Sequence, residues 1–159
     1  MSPGPGFRPL FTVECDVGEI RSLGRMPMGE RRVVSIDGGR IIAADADSGL
    51  SGTILGGGAD WQWIRSDGIA EIAAHYTVLS DDGDHIEVDS SGYRHGPPEV
   101  IARLAGGDAV EASEYYFRTA MRFRTNSVRP QVQRLNGVLA FAIGERRPAQ
   151  VLLSVYELL

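Results

Sequence analysis

A chain of 159 residues has the length of one domain, and its 43% hydrophobic and 23% charged residues exclude an intrinsically disordered protein. All 16 basic residues are arginine, which excludes lysine chemistry such as a Schiff base, and the net charge of −5 argues against a protein that tracks nucleic-acid backbones. We therefore expect a single domain over residues 1–159 whose partners are small molecules or proteins, with no nucleic acid.

The N-terminal segment and the cysteine content bear on the cellular compartment. Residues 1–8, which include several Pro and Gly, are predicted to form a mobile arm. No signal-peptide pattern and no run of 18 apolar residues is present, so no membrane contact is expected. Cys15 is the single cysteine and cannot form an internal disulfide, which is typical of a reducing compartment. These features predict a cytoplasmic protein.

Alternating apolar and polar residues predict strands along the whole chain. The first covers residues 11–17, and Asp37-Gly38-Gly39 between two apolar runs predicts a hairpin turn. Asp67-Gly68 and Asp82-Gly83 predict two more turns of a meander. Further strands are predicted near 50–55, 60–65, 69–80, 84–89, 113–125, 138–145 and 149–158.

One short helix is predicted from Pro97-Pro98-Glu99 to Leu104, before Gly106-Gly107, where it would plug or cap one end of a barrel. Sheets of about ten strands curl, split into two layers or close. We expect an all-β fold, an antiparallel closed or nearly closed barrel with this one helix. A barrel of this size can enclose one small ligand.

The string from Gly56 to Trp63, Gly-Gly-Gly-Ala-Asp-Trp-Gln-Trp, has two interpretations. It is not a phosphate-binding loop, because the required Lys and Ser or Thr are missing. In the first interpretation the glycines present Asp60 as a proton acceptor beside Trp61 at a pocket mouth. In the second, a glycine bulge turns a barrel corner, Asp60 caps a turn, and Trp61 and Trp63 fill the core. The string alone favours the second.

Residues 115–124 separate into two strand faces. One face carries Tyr115, Phe117, Thr119, Met121 and Phe123, and the other carries Tyr116, Arg118, Arg122 and Arg124. The alternation places the arginines in solvent. A single β-bulge would turn Arg118 into the barrel mouth, where its guanidinium would bind a carboxylate or enolate oxygen.

The strand that starts at Ile69 places Tyr76 on its apolar face, so Tyr76 is a candidate for the lumen, where a ligand oxygen would satisfy its phenol. His75 points the other way; its chemistry suits proton transfer, but an exposed ring is favoured. The spacing of His75, His85 and His95 makes metal binding a minor alternative, and we expect no metal. No dinucleotide fingerprint or nucleophile elbow is present, and no cofactor is expected.

The motifs, taken in order, resemble the domain-of-unknown-function family DUF 3237 nearly end to end. They are Leu23-Gly24, Pro27-x-Gly29-x-Arg31-Arg32, Gly38-Gly39, Gly56-Gly57-Gly58-Ala59-Asp60-Trp61, Asp67-Gly68, Tyr76, Asp81-Asp82-Gly83, Gly92-Tyr93-Arg94, Tyr115-Tyr116-Phe117-Arg118-Thr119 and Leu135-Asn136. The resemblance implies a calycin-type, lipocalin-like barrel, and some relatives are thought to close rings in natural-product pathways without a cofactor. Arg134 departs from the Trp that commonly precedes the Leu-Asn pair, which puts the pocket wall near that loop in doubt.

Three functional hypotheses follow. The first is a cofactor-free enzyme of the cyclase, isomerase or lyase type, acting on a natural-product-like or aromatic substrate. Its catalytic candidates are Asp60 as base, Arg118 with Tyr116 at the oxyanion, and His75 as a reserve donor; Trp61, Tyr76, Tyr116, Trp63 and Arg94 are the ligand-binding candidates.

The second hypothesis is a non-catalytic carrier or sensor of a small apolar acid, and the third is an interaction module in a homo-oligomer such as a homodimer. Asp60 separates the first two hypotheses. A carboxyl that faces the cavity with a raised pKa favours catalysis, whereas one that caps backbone amides favours carriage.

Overall fold

Nine antiparallel strands and two short helices make up the computed structural model, which describes residues 2–48 and 50–159. The strands are β1 (Phe7–Met26), β2 (Gly29–Ala43), β3 (Gly52–Ile54), β4 (Gly58–Ile64), β5 (Ala70–Ser80), β6 (His85–His95), β7 (Tyr116–Thr125), β8 (Ala140–Arg146) and β9 (Gln150–Leu158). The helices are α1 (Pro98–Ala105) and α2 (Pro130–Gln133).

The strand pairing closes into a ring, which confirms the expected antiparallel barrel. From β1 the order runs through β9, β8, β7 and β6 to β5, and β1 also pairs with β2. Two shorter strands, β3 and β4, both bridge β5 and β2 and complete the circle. Closure matters because it pairs the backbone groups that an open sheet would leave at its edges.

The predicted hairpin turn at Asp37-Gly38-Gly39 is wrong, because β2 runs straight through it. Asp16 pairs with Gly38 and the next residue, Val17, pairs with Ile36, so β2 carries a bulge at this point. Gly39 has a φ of 127°, and a Cβ there would lie 2.0 Å from the carbonyl oxygen of Glu14. A bulge and a tight turn need the same positive-φ glycine, which is why the sequence misleads here.

The other two Asp-Gly steps form the expected turns. Gly68 joins β4 to β5 with a φ of 88°, and Gly83 joins β5 to β6 with a φ of 93°. The predicted short helix is also present as α1, whereas α2, which starts at a proline, was not predicted. β1 begins at Phe7, so residues 7 and 8 of the expected arm pair with β9.

One end of the barrel is packed. The residues at this end that are at most 5% exposed include Val13, Ile41, Leu50, Ile54, Val78, Val88, Met121, Phe123, Ala142 and Val155. The segment that contains α2 closes this end, since Val132 and Leu135 are fully buried in the same cluster. The inward residues of the other halves of these strands surround a hollow instead.

No helix among residues 2–48 and 50–159 is long and apolar enough to span a membrane.

Candidate functional site

The unpacked end of the barrel contains a hollow with an apolar wall and a few polar groups. Its apolar lining is Cys15, Val17, Ile20, Val34, Ile36, Ile72, Ala74, Phe117, Val151 and Leu153, and its polar lining is Arg32, Asp60, Gln62, Tyr76, Ser90, Arg94, Thr119 and Arg146. The cavity volume is about 60 Å³, and the empty space is about 670 Å³ when the open mouth is included. A few convergent polar groups in an apolar hollow are typical of a small-molecule site.

Asp60 faces this hollow from β4. Its Oδ2 accepts a hydrogen bond from Gln62 Nε2 at 2.6 Å, and its Oδ1 accepts one from the backbone N–H of Ala73 at 2.9 Å. Burial raises the pKa of the Asp60 carboxyl, although these two hydrogen bonds and the nearby charges of Arg94 and Arg146 oppose that shift. Asp60 therefore meets the condition for catalysis, because it lines the cavity with a raised pKa. It also meets the condition for carriage, because it accepts a hydrogen bond from a backbone amide.

Three arginines share the hollow with Asp60. Arg32 donates to Glu30 at 2.6 Å, and this ion pair neutralises it. Arg94 lies with its Cζ 5.6 Å from the centroid of the Phe117 ring and has no hydrogen bond or ion pair with any described residue. Burial, and then the charge of Arg146, lower the pKa of Arg94, which still carries its charge at neutral pH.

Arg146 is the third of these cations, and burial lowers its pKa as well. Its guanidinium makes a long hydrogen bond of 3.4 Å to the carbonyl oxygen of Gln150. With Arg32 paired, Arg94 and Arg146 face one carboxylate, that of Asp60. When Asp60 is ionised, its negative charge balances one of these two arginines, so the hollow has one positive charge in excess.

A second, outer hollow adjoins the first and shares Ile20, Arg32, Arg94 and Arg146 with it. Its outer walls include Ile101 and Leu104 of α1. The arginines therefore line the passage from this vestibule to the inner hollow, and α1 lies beside the vestibule.

Tyr76 lines the inner hollow, as its place in the alternation predicts. It is 3% exposed, and its Oη has no hydrogen-bond partner within the described part of the chain. Nearby, Ser90 Oγ donates to Thr119 Oγ1 at 2.8 Å, so that pair is satisfied internally. Burial raises the pKa of the Cys15 thiol to about 12, which keeps it protonated and unreactive.

The two tryptophans lie on the outer face of β4. The strand alternation that turns Asp60 inward turns Trp61 outward, and Trp61 is 45% exposed. The Arg31 guanidinium lies against both indoles, with Cζ 4.4 Å from the Trp63 centroid and 5.4 Å from that of Trp61. Neither tryptophan lines the inner hollow, and the expectation that they fill the core is wrong.

Tyr116 and Arg118 also lie outside the barrel, as the simple alternation indicates. Tyr116 stacks on His95 with ring centroids 4.8 Å apart. Arg118 Cζ lies 5.1 Å from the Tyr116 centroid, and its Nη1 donates to the carbonyl of Phe117. β7 pairs with β6 without a bulge, so Arg118 is not turned into the mouth.

His75 is exposed on the outer face and is held by two carboxylates. Its Nδ1 lies 2.6 Å from Asp89 Oδ1 and its Nε2 lies 3.1 Å from Glu87 Oε1. The hydrogen bond from His75 lowers the pKa of Asp89. In the described ranges no group of three or more His, Cys, Asp or Glu side chains is placed to hold a metal ion.

Of the predicted site residues, the structure brings Asp60, Tyr76 and Arg94 together around the hollow and leaves Trp61, Trp63, His75, Tyr116 and Arg118 outside it. Sequence reasoning missed Gln62 and Arg146. Gln62 follows Asp60 by two residues, so the alternation that places one inward predicts the other. Arg146 gives no such signal, because it ends β8 next to Arg147, where a charged pair is ordinary.

A protein-family model described as "Protein of unknown function (DUF3237)" matches residues 5–158. The chain belongs to this family. An uncharacterised UPF0311 protein of Rhodopseudomonas palustris is 33% identical over the full length of both chains. Arg134, the departure from the family pattern, lies away from the hollow, where it donates to Glu157 Oε1 at 2.6 Å.

Solved structures share the fold. The crystal structure of the Rhodopseudomonas palustris protein of unknown function superimposes with a TM-score of 0.90 at 33% identity and full coverage of both chains. A beta-barrel like protein from Acinetobacter baumannii matches with a TM-score of 0.83 at 34% identity, covering 100% of this chain and 99% of the other. A protein described as an enzyme from Penicillium herquei matches with a TM-score of 0.73 at 19% identity, covering 100% and 98%, a likeness of fold alone.

Proposed function

We propose that this protein is a cofactor-independent acid–base enzyme, of the cyclase, isomerase or lyase type, that acts on an aromatic or natural-product-like small molecule in the inner hollow. The observation that carries the proposal is the Asp60 carboxyl, which faces an apolar hollow alongside the cations Arg94 and Arg146. A carboxylate whose pKa is raised by burial is a stronger base than one in water. The same fold serves a protein described as an enzyme in Penicillium herquei.

The chemistry that suits this arrangement is removal of a proton from a carbon next to a carbonyl group. Asp60 takes the proton, the C–H electron pair forms a double bond to the carbonyl carbon, and the π pair of the carbonyl moves onto its oxygen as a negative charge. Arg146, whose charge Asp60 no longer balances once it is protonated, stabilises that oxyanion, the role that the sequence assigned to Arg118 and Tyr116. Asp60 then returns the proton to another carbon of a conjugated enolate, which completes an isomerisation. Alternatively, the enolate carbon attacks a second carbonyl and closes a ring, and the alkoxide formed there takes the proton from Asp60.

A carrier or sensor of a small apolar acid is the second candidate, and one observation favours it. Both oxygens of Asp60 already accept hydrogen bonds, from Gln62 and from the Ala73 amide. A carboxylate held in this way stabilises the strand pairing of β4 and β5 without needing to transfer a proton. The positive charge of Arg94 would then retain the bound acid.

Hydrogen–deuterium exchange separates the two candidates. Acetophenone, cyclohexanone and 4-acetylbenzoate are incubated in D2O at neutral pH, and NMR follows deuterium incorporation next to each carbonyl. We expect the wild-type protein to accelerate exchange in at least one compound and Asp60→Asn to abolish the acceleration. Asp47→Asn is the matched control, since Asp47 is an exposed acid in the loop before β3, at the packed end.

The Asn variant is expected to fold, because its side-chain oxygen can still accept from the Ala73 amide and the Gln62 amide can rotate to accept from the new NH2 group. Exchange that persists in Asp60→Asn would refute the catalytic role of Asp60. Absence of acceleration for every compound, together with tight binding of 4-acetylbenzoate, would favour the carrier.

A further inference from the structure

Tyr76, which lines the hollow, has an unsatisfied hydrogen-bond donor. Its side chain is buried, and its Oη has no partner in the described chain. Tyr115 provides the contrast, since its buried Oη accepts a hydrogen bond from the Arg146 amide at 2.8 Å. Buried hydroxyl groups normally have partners, and one that lacks a protein partner in a ligand site is available to a ligand oxygen.

The charged arginines and the Tyr76 phenol lie at different depths in the barrel. Arg94 and Arg146 line both the inner hollow and the vestibule, so they occupy the passage between the two. Tyr76 lines the inner hollow and not the vestibule. The remaining lining of the inner hollow is mostly apolar, as at Val34 and Ile72, with Asp60 among its few polar groups. A ligand that satisfies both groups is therefore anionic at one end, apolar in its middle and oxygen-bearing at the other end.

The volume limits the size of the part that enters. The cavity volume of about 60 Å³ has room for about four to six waters, or roughly 120–180 Å³ of molecular volume, which is below the usual range for drug-sized ligands. One substituted six-membered ring fits this space, whereas a larger fused system would extend past the arginines into the vestibule.

We infer that the ligand is a compact cyclic acid, with a carboxylate held by Arg94 at the passage and, on the far side of the ring, an oxygen that accepts a hydrogen bond from Tyr76. Tyr76 thereby determines specificity for oxygenated rings. The inference rests on the proposed function only in taking the inner hollow as the substrate site. It adds the substrate class, which the acid–base chemistry of Asp60 leaves open.

Isothermal titration calorimetry with benzoate, 4-hydroxybenzoate and benzamide tests this inference. A single hydrogen bond of ordinary strength predicts that the wild-type protein binds 4-hydroxybenzoate about three- to tenfold more tightly than benzoate. Tyr76→Phe should reduce that preference to less than about twofold while retaining the affinity for benzoate. Tyr115→Phe is the matched control and should keep the preference.

The role of the arginines is tested with the same probes. Arg94→Gln should weaken both acids by about tenfold or more and leave the uncharged benzamide, a weak ligand, almost unchanged. The inference would be overturned if the wild type and Tyr76→Phe showed the same preference for the hydroxylated acid. It would also be overturned if the wild type bound neither acid.

The same variants distinguish failure of this inference from failure of the proposed function. Asp60→Asn should still bind both acids, because the carboxylate of Asp60 takes no part in holding them. If Asp60→Asn retains exchange activity while the Tyr76-dependent preference is present, the acid–base role fails and the ligand class stands. If exchange depends on Asp60 but the preference is absent, the ligand class fails alone.

Discussion

Replacing Tyr76 with Phe should stabilise the ligand-free protein. The substitution keeps the ring, which is 3% exposed, and removes only an Oη that has no partner in the described chain. A buried hydroxyl without a partner costs about 1–3 kcal/mol. The Oη atom is closed to water although other atoms of the side chain line the hollow, so water does not offset that penalty.

We therefore expect the free energy of unfolding to rise by about 1–3 kcal/mol, and the melting temperature to rise by about 2–4 °C for each kcal/mol in a chain of this length. Urea denaturation followed by circular dichroism gives the free energy, and a thermal scan gives the melting temperature. Tyr115→Phe makes the same chemical change but removes the acceptor of the Arg146 amide. This control should lower the free energy of unfolding by about 1 kcal/mol.

Tyr76→Phe and Tyr115→Phe are expected to change the free energy of unfolding in opposite directions. A Tyr76→Phe protein that loses more than about 0.5 kcal/mol would show that the phenol contributes a hydrogen bond to the ligand-free fold. The hydroxyl would then be structural, and its assignment to a ligand would be refuted.

Three further predictions concern charge and backbone geometry. Burial raises the pKa of Asp60 above its ordinary value of 3.8, so the folded protein keeps this proton to a higher pH than the unfolded chain. The free energy of unfolding therefore falls as the pH rises from the unfolded to the folded pKa of Asp60. Asp60→Asn should remove that fall in urea titrations at a series of pH values. Arg134 lowers the pKa of Glu157, whose side chain is 7% exposed, from the ordinary 4.5. Glu157→Gln should cost about 1–3 kcal/mol at pH 7, and the difference from wild type should shrink as the pH falls through the folded pKa of Glu157. At Gly39 φ is 127° and a Cβ would meet the Glu14 carbonyl, whereas Gly57 has a positive φ but open space around it. Gly39→Ala should therefore lower the free energy of unfolding by at least about 2 kcal/mol more than Gly57→Ala. Similar losses of stability for both variants would contradict the bulge geometry.

Strand periodicity predicts much of this fold because each barrel strand has one buried face. The apolar positions of β5 and β7 predict correctly that Tyr76 and Phe117 point inward and Arg118 outward. The same rule applied to Asp60 places Trp61 on the opposite face. The sequence-based interpretation instead grouped these two neighbours at one pocket mouth.

Sequence patterns do not predict the bulge in β2 or the charged residues that line the hollow. Gly38-Gly39 has the composition of a turn, and only its pairing with β1 shows that the strand continues. Arg94 and Arg146 lie 52 positions apart, and the barrel closure brings them to one passage. Charged residues at strand ends are common on protein surfaces, so nothing local marks these two as cavity residues.

An NMR titration of the Asp60 carboxyl carbon tests the central claim, that a base lies in an apolar hollow beside unpaired cations. The midpoint should lie above the ordinary aspartate value of 3.8, and it should rise further in Arg94→Gln, because the charge of Arg94 opposes the effect of burial. A midpoint at or below 3.8, unmoved by the loss of Arg94, would contradict the account.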